Sequence, residues 1–132
     1  MTARVTPGPV LVVDDNVELR DSVCDLLESV GYGVLRAHDA PSALEVLRTT
    51  RVAAVVLDVR MPGGGGLAVL EALEDPPPVI LMTAFALDAE QNDAVDPKIF
   101  FHLVKPFHPR RLLEALSSAI GAPEETGRRP RR

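Results

Sequence analysis

Short runs of consecutive apolar residues recur along the chain, and they constrain its fold more than any other feature. Runs of this length are typical of strands that are covered on both faces, as in a parallel sheet. Three runs are wholly apolar and two are of mixed character: Val10–Val13, Val52–Leu57 and Val79–Met82, then Gly33–Ala37 and Phe100–Val104. The sequence therefore predicts a strand at each of these places.

Between these runs the apolar residues follow helical spacing instead. Asp39 is predicted to cap the second helix, with Pro41 in its first turn. Gly31 and Gly121 are predicted to end the first and last helices. The apolar residues at helical spacing are Leu19, Val23, Leu26, Leu27 and Val30; Ala43, Leu44 and Leu47; Leu67, Leu70 and Leu73; and Leu112, Leu113, Leu116 and Ile120.

Strands and helices alternate along the chain, which predicts an α/β fold with a doubly wound parallel sheet and helices on both of its faces. The weakest element is the fourth helix, because Ala86–Asp96 is polar and Pro97 ends it. The segment Ala122–Arg132 has no periodicity and is rich in Pro, Glu and Arg, so we expect a disordered tail there. The folded domain is expected to span residues 1–121.

Composition is that of one soluble domain. The 132 residues match one ordinary domain, and 46% hydrophobic residues suffice for a core. The net charge of −5 argues against direct binding of nucleic acid, which needs clustered Lys and Arg; such a cluster occurs only at residues 128–132. Cys24 is the single cysteine, which excludes an intrachain disulfide and suits the cytoplasm. No apolar run is long enough to insert into a membrane.

Acidic, hydroxyl and amino side chains directly follow the predicted strands. Because ligands of doubly wound sheets bind at the carboxyl ends of the strands, these side chains are expected to meet at one edge. Carboxylates crowded together repel one another unless a cation lies among them, and oxygen ligands alone favour Mg²⁺. A carboxylate can also accept a phosphoryl group, whose charge a metal ion and a lysine would neutralise. The residues concerned are Asp14, Asp15, Asp58, Thr83 and Lys105.

Motifs at these positions resemble the receiver domain of bacterial response regulators. The match runs in order and at family-like spacing from Val10 to Ile120. Each motif alone is weak, but together, in register on an alternating strand–helix pattern, they are specific. The motifs are Val12–Asn16, Leu57–Pro62, Met82–Ala84 and Val104–Phe107. The resemblance implies a flavodoxin-like (βα)5 fold with strand order 2-1-3-4-5.

The resemblance also implies which residues carry the chemistry. Asp58 is expected to accept the phosphoryl group. Asp14 and Asp15 are expected to hold Mg²⁺ together with Asp58, Asp15 the more directly of the acidic pair, and the backbone carbonyl of Arg60 is the further ligand. Mg²⁺ is thus the expected cofactor. The domain is expected to be a signalling module and no enzyme, apart from catalysing its own phosphorylation and dephosphorylation.

Further roles follow from the same resemblance. Thr83 is expected to be the switch hydroxyl that moves toward the phosphoryl group, and Lys105 its charge partner. The Lys105–Pro106 peptide bond is expected to be cis. His102 occupies the position of the family's switch aromatic, which is commonly Tyr or Phe. A packed histidine without a switching role is the alternative interpretation of His102.

Three features depart from the family's usual pattern. Gly63–Gly66 stands where a bulky residue and an Asp are usual, and a glycine loop is costly in entropy to order, so we expect it to be weakly held. The predicted fourth helix lacks the usual apolar stripe, which puts in doubt the use of that face for signalling or dimerisation. His108 replaces the usual acidic or polar cap of the last helix and is expected to cap it weakly.

The implied function is that of a stand-alone response regulator. Its phosphoryl group would come from a phosphohistidine of a sensor histidine kinase or phosphotransfer protein, and its output would be contact with a downstream protein, as a monomer or weak dimer. A phosphorelay intermediate and a pseudo-receiver that binds partners without phosphorylation are alternatives. A Mg²⁺-dependent phosphohydrolase is another, but such enzymes usually place an Asp two residues after the nucleophile, where this chain has Arg60.

Overall fold

The chain folds into a parallel β-sheet with helices packed on both faces. The structure, a computed structural model, describes residues 8–60, 65–83 and 98–121. The strands are β1 (Val10–Val13), β2 (Val34–Ala37), β3 (Ala54–Asp58), β4 (Val79–Thr83) and β5 (Ile99–Val104). The helices within the described ranges are α1 (Val17–Ser29), α2 (Ala40–Thr49), α3 (Gly65–Ala72) and α4 (Pro109–Ile120).

The sheet has the predicted topology. Its strands lie in the order β2-β1-β3-β4-β5, and every pair of neighbours is parallel. This confirms the doubly wound, flavodoxin-like α/β fold. The chain runs outward from β1 to β2 and then returns to the other side of β1, so the direction of winding reverses between β1 and β3. Such a reversal opens a crevice at the carboxyl ends of these strands.

Each central strand sends alternate residues to opposite faces of the sheet. On β1, Val10 and Val12 belong to the cluster that includes α1 and α4, whereas Leu11 and Val13 belong to the cluster that includes α2 and α3. β3 and β4 alternate in the same way. Because both faces are covered, every residue of β1, β3 and β4 is buried. This two-sided burial explains why the corresponding sequence runs are wholly apolar.

The edge strands are less buried, which explains their mixed composition. On β5, Phe100 and Val104 are 48% and 38% exposed.

The third strand, β3, begins two residues later than the apolar run that predicted it. It starts at Ala54, because the pairing with β1 starts at Val10 opposite Ala54.

Side chains cap helices α2 and α4 at their amino ends. The Asp39 carboxylate accepts from Ser42 N at 2.8 Å, and the Ser42 hydroxyl accepts from Asp39 N at 3.2 Å, which confirms Asp39 as the cap of α2. Pro41 lies in the first turn, as predicted. His108 does form a cap of α4: its Nδ1 accepts from Arg110 N at 3.0 Å.

The glycine run is a loop only in part. α3 begins at Gly65, and both Gly65 and Gly66 are buried. A Cβ at Gly65 would collide with the carbonyl oxygen of Val59, and one at Gly66 would lie 2.6 Å from the carbonyl oxygen of Asp58. These two glycines therefore let α3 approach the end of β3, and the expectation that the glycine segment is weakly held stays a prediction. Residues 63 and 64 lie outside the described residues.

Two further predictions concern segments beyond the described residues. The predicted fourth helix, Ala86–Asp96, and the predicted tail, Ala122–Arg132, both fall there. Of the helices that are described, none combines the length and the apolar character that crossing a membrane requires.

Candidate phosphoryl-acceptor site

Polar residues stand at the carboxyl ends of four neighbouring strands. Asp14 directly follows β1, Asp58 ends β3, Thr83 ends β4 and Lys105 follows β5. The strands pair in register, so that Val13 lies opposite Leu57 and Asp58 opposite Met82. The predicted convergence of these residues on one edge of the sheet is thereby observed.

Three carboxylates form a cluster at this edge. Asp14, Asp15 and Asp58 each offer an oxygen atom, and these oxygens lie within 4.8 Å of one another. Asp14 is fully buried and Asp58 is 4% exposed, whereas Asp15 is exposed. The cluster thus has a buried floor formed by two acids and an exposed third member.

Lys105 provides positive charge to the buried pair. Its Nζ lies 3.2 Å from Asp58 Oδ1 and 3.9 Å from Asp14 Oδ2. Its backbone N donates to the Thr83 carbonyl at 2.7 Å, which ties the residue to the end of β4. The peptide bond from Lys105 to Pro106 is cis. The lysine is therefore held by its own backbone in reach of both carboxylates.

The buried pair makes ionisation of Asp14 costly. Burial raises the pKa of the Asp14 carboxyl, the neighbouring Asp58 carboxylate raises it as well, and the pKa lies at about 6 against an ordinary value of 3.8. A hydrogen bond from Asn16 N to Asp14 Oδ1, at 2.9 Å, and the charge of Lys105 oppose the change without cancelling it. The cluster therefore carries more negative charge than its own surroundings neutralise.

The donor set fits a hard divalent cation. All three candidate side-chain ligands offer carboxylate oxygens, and oxygen atoms are the ligands that Mg²⁺ prefers. Asp14 Oδ2 is buried and has no hydrogen-bond partner among residues 8–60, 65–83 and 98–121. A buried carboxylate oxygen that lacks a hydrogen-bond partner and lies beside two further carboxylates is chemically suited to coordinate such a cation.

Three other residues were predicted to take part in the site: Arg60, Thr83 and His102. Arg60 is exposed, and its backbone N donates to Asp58 Oδ1 at 3.4 Å; the metal-binding role of its carbonyl stays a prediction. Thr83 is buried, and its hydroxyl has no hydrogen-bond partner within the described part of the chain. His102 is half-buried in β5, opposite Leu81. The switching roles of Thr83 and His102 stay predictions.

Sequence reasoning missed the contacts that hold residues Asp14, Asp15 and Asn16, which are called the acidic turn below. Asn16 caps α1, since its side chain accepts from Leu19 N at 3.0 Å. Arg20, one turn further along α1, donates from Nη1 to the Asp14 carbonyl oxygen at 3.2 Å. The four-residue spacing of Asn16 and Arg20 places both on one helix face and was the available signal.

Sequence and structure comparisons agree on the family. The family model described as "Response regulator receiver domain" matches residues 10–117. The transcriptional regulatory protein FixJ of Bradyrhizobium diazoefficiens is 38% identical over 123 residues, which cover 87% of this chain and 58% of FixJ. The polar-differentiation response regulator DivK of Brucella anthropi is 29% identical and is covered over 98% of its length.

A solved structure has the same fold. The chemotaxis response regulator CheY4 of Vibrio cholerae superposes with a TM-score of 0.76 at 30% identity, over 86% of this chain and 99% of that one. The chain spans about half the length of the first curated relatives that it matches.

Proposed function

This chain belongs to the receiver-domain family of response regulators, and we propose that Asp58 is the residue that accepts its phosphoryl group. The observation that carries this proposal is the position of Asp58: it is nearly buried at the end of β3, with Lys105 Nζ 3.2 Å from its Oδ1 and two further carboxylates beside it. Such an arrangement supplies an oxygen nucleophile and the charge to stabilise what that nucleophile receives.

The proposed reaction is transfer from a phosphohistidine. A carboxylate oxygen of Asp58 bonds to phosphorus as the bond from phosphorus to the imidazole nitrogen breaks, and the electron pair of that bond stays on the imidazole. The product is an aspartyl phosphate on this chain and a free histidine on the donor. Little is required of the protein beyond positioning and charge neutralisation. Lys105 neutralises charge on the product as it does on the carboxylate.

Mg²⁺ is the proposed cofactor, held by Asp14, Asp15, Asp58 and the backbone carbonyl of Arg60. When bound, it would supply positive charge to the phosphoryl oxygens. Its positive charge would also offset the burial and the repulsion by Asp58 that raise the pKa of Asp14. Asp14, whose Oδ2 has no hydrogen-bond partner within the described residues, and the exposed Asp15 would then both hold the metal.

The proposed output is a change of surface caused by the new charge. A phosphoryl group adds about −1.5 to −2 units of charge. The buried Thr83 hydroxyl, whose oxygen finds no partner in the described residues, is free to bond to it. A sensor histidine kinase or phosphotransfer protein is the proposed donor. A downstream protein in the cytoplasm is the proposed target, with residues 1–121 as the responding unit, monomeric or weakly dimeric.

Adduct formation at Asp58 tests this proposal. The protein is incubated with Mg²⁺ and acetyl phosphate, or with beryllofluoride, and is followed by intact mass or fluorine NMR. We expect a single adduct in the wild-type protein and in Asp25→Asn, a matched control at an exposed acid of α1, and none in Asp58→Asn. An adduct that persists in Asp58→Asn would overturn the assignment.

A further inference from the structure

The side chain of Arg20 contacts the acidic turn at a backbone carbonyl rather than at a carboxylate. Its Nη1 donates to the Asp14 carbonyl oxygen at 3.2 Å, and its own N donates to the Asn16 carbonyl at 2.9 Å. The Asp14 carboxylate in turn accepts from Asn16 N at 2.9 Å. The Asp14 carbonyl belongs to the peptide group that joins Asp14 to Asp15. Arg20 therefore holds the plane of that peptide group.

The orientation of this peptide group matters most for Asp15. Asp14 is packed on all sides and Asn16 is fixed as the cap of α1, but Asp15, which lies between them, is exposed. Because Asp15 is exposed, packing does little to fix the direction of its carboxylate. Its position beside the other two carboxylates must then come from the backbone that carries it.

Stability alone does not explain the placement of Arg20. The side chain is half-buried, and its Nε is shielded from solvent without a hydrogen-bond partner among the residues described. An unsatisfied buried donor costs free energy. A side chain that bears this cost, and makes one contact to the backbone of a candidate metal ligand, is better explained by a role at the site.

We propose that Arg20 is a positioning residue for the metal site: by holding the Asp14 carbonyl, it keeps the Asp15 carboxylate beside those of Asp14 and Asp58, with which it would hold Mg²⁺. The inference rests on the proposed function, because it takes Asp14, Asp15 and Asp58 as the metal ligands. Groups that orient metal ligands without touching the metal change affinity by about tenfold or more when they are removed.

The sign of the effect separates positioning from electrostatics. Removing a positive charge near an acidic cluster strengthens cation binding if charge alone matters, because a like charge is taken away. Removing a positioning residue weakens binding. Arg36 is the matched control, since it is an exposed arginine that pairs with Asp21 of α1 at 3.3 Å and, within the described residues, makes no hydrogen bond to Asp14, Asp15 or Asn16.

Calorimetric titration with Mg²⁺ measures the effect in protein that carries no phosphoryl group. Arg20→Met should weaken Mg²⁺ binding about tenfold, Arg20→Lys less, and Arg36→Met should leave it equal or slightly stronger. Arg20→Lys keeps a donor on a flexible stem, so it also serves if Arg20→Met fails to fold. Equal or stronger Mg²⁺ binding in both Arg20 variants would overturn the inference.

A double-mutant cycle tests the route through Asp15. If Arg20 acts by directing Asp15, then Arg20→Met should cause no further loss of Mg²⁺ affinity in the Asp15→Asn protein. Losses that multiply in the double variant would overturn the inference while leaving the metal site intact. If Asp15→Asn alone leaves Mg²⁺ affinity unchanged, the proposed metal site itself is wrong, and this result is distinct from failure of the Arg20 inference.

Discussion

The body of β1 and the residues that follow it differ in what they contribute. Val10–Val13 are fully buried apolar side chains that pack into both hydrophobic clusters, whereas the next residue, Asp14, is equally buried but carboxylic. The strand body stabilises the fold by removing apolar surface from water. The acid at its end costs stability, as its pKa of about 6 shows. One continuous segment thus supplies the scaffold and the reactive edge.

The largest effect is expected in the strand body. Leu11→Ala, a truncation in the cluster with α2 and α3, should lower the free energy of unfolding by about 3 kcal/mol, since a fully buried leucine leaves a cavity that the surroundings fill only in part. Chemical denaturation measures it. The control is Val17→Ala at a 55% exposed position, where the change should stay within about 0.5 kcal/mol. Equal effects at both positions would contradict the packing described for β1.

At the edge the expected sign is reversed. Asp14→Asn should raise the free energy of unfolding of the metal-free protein by about 1–2 kcal/mol at neutral pH, because it removes a carboxylate whose ionisation is opposed by burial and by Asp58. Denaturation with and without Mg²⁺ measures it. A destabilised variant would mean that the charge of Asp14 stabilises the fold, contrary to its raised pKa.

The pH dependence follows from the same group. The pKa of Asp14 is about 6 in the folded state against an ordinary value of 3.8. Between these two pH values the folded protein therefore binds more protons than the unfolded chain does. The free energy of unfolding of the metal-free protein should therefore fall by about 1 kcal/mol or more as the pH rises from about 4 to about 6. Above about pH 6 the contribution of Asp14 should change no further. Saturating Mg²⁺ should reduce the fall, and Asp14→Asn should abolish this component. A wild-type profile that Asp14→Asn leaves unaltered would refute this assignment.

The smallest effect on stability is expected at Asp15. Its side chain is exposed, so Asp15→Asn should change the stability of the metal-free protein by no more than about 0.5 kcal/mol. It should nevertheless lose most of the rise in melting temperature that Mg²⁺ produces in the wild-type protein, because a ligand that binds only the folded state stabilises it. Thermal melts with and without Mg²⁺ test both halves. An unchanged response to Mg²⁺ would remove Asp15 from the metal site.

The strands and the acidic edge were predictable because each depends on local sequence. A wholly apolar run predicts a strand that is buried on both faces, and the residue that follows it lies at the sheet edge wherever the strands align. Asp14, Asp58 and Lys105 were found in this way. The cap at Asp39 was equally local, since donor and acceptor are three residues apart.

Contacts between distant segments were not predictable in this way. The glycines at the start of α3 look like a costly loop in sequence, and only the approach of that helix to Val59 and Asp58 shows what their missing side chains permit. Lys98 is similar: its Nζ donates to the carbonyls of Leu70 and Leu73 at the end of α3, at 2.7 and 2.5 Å, across 28 and 25 residues of chain. No periodicity in the sequence encodes such a pairing.

Chemical trapping of the phosphorylated residue tests the role of Asp58 most directly. The protein is phosphorylated with acetyl phosphate and Mg²⁺, reduced with borohydride, which converts an aspartyl phosphate to homoserine, and then digested for peptide mass spectrometry. We predict homoserine at position 58 and at no other aspartate, with the yield lost when Mg²⁺ is removed by a chelator. Homoserine at position 14 or 15, or none at position 58 under conditions that give a phosphorylated protein, would contradict the proposed role of Asp58.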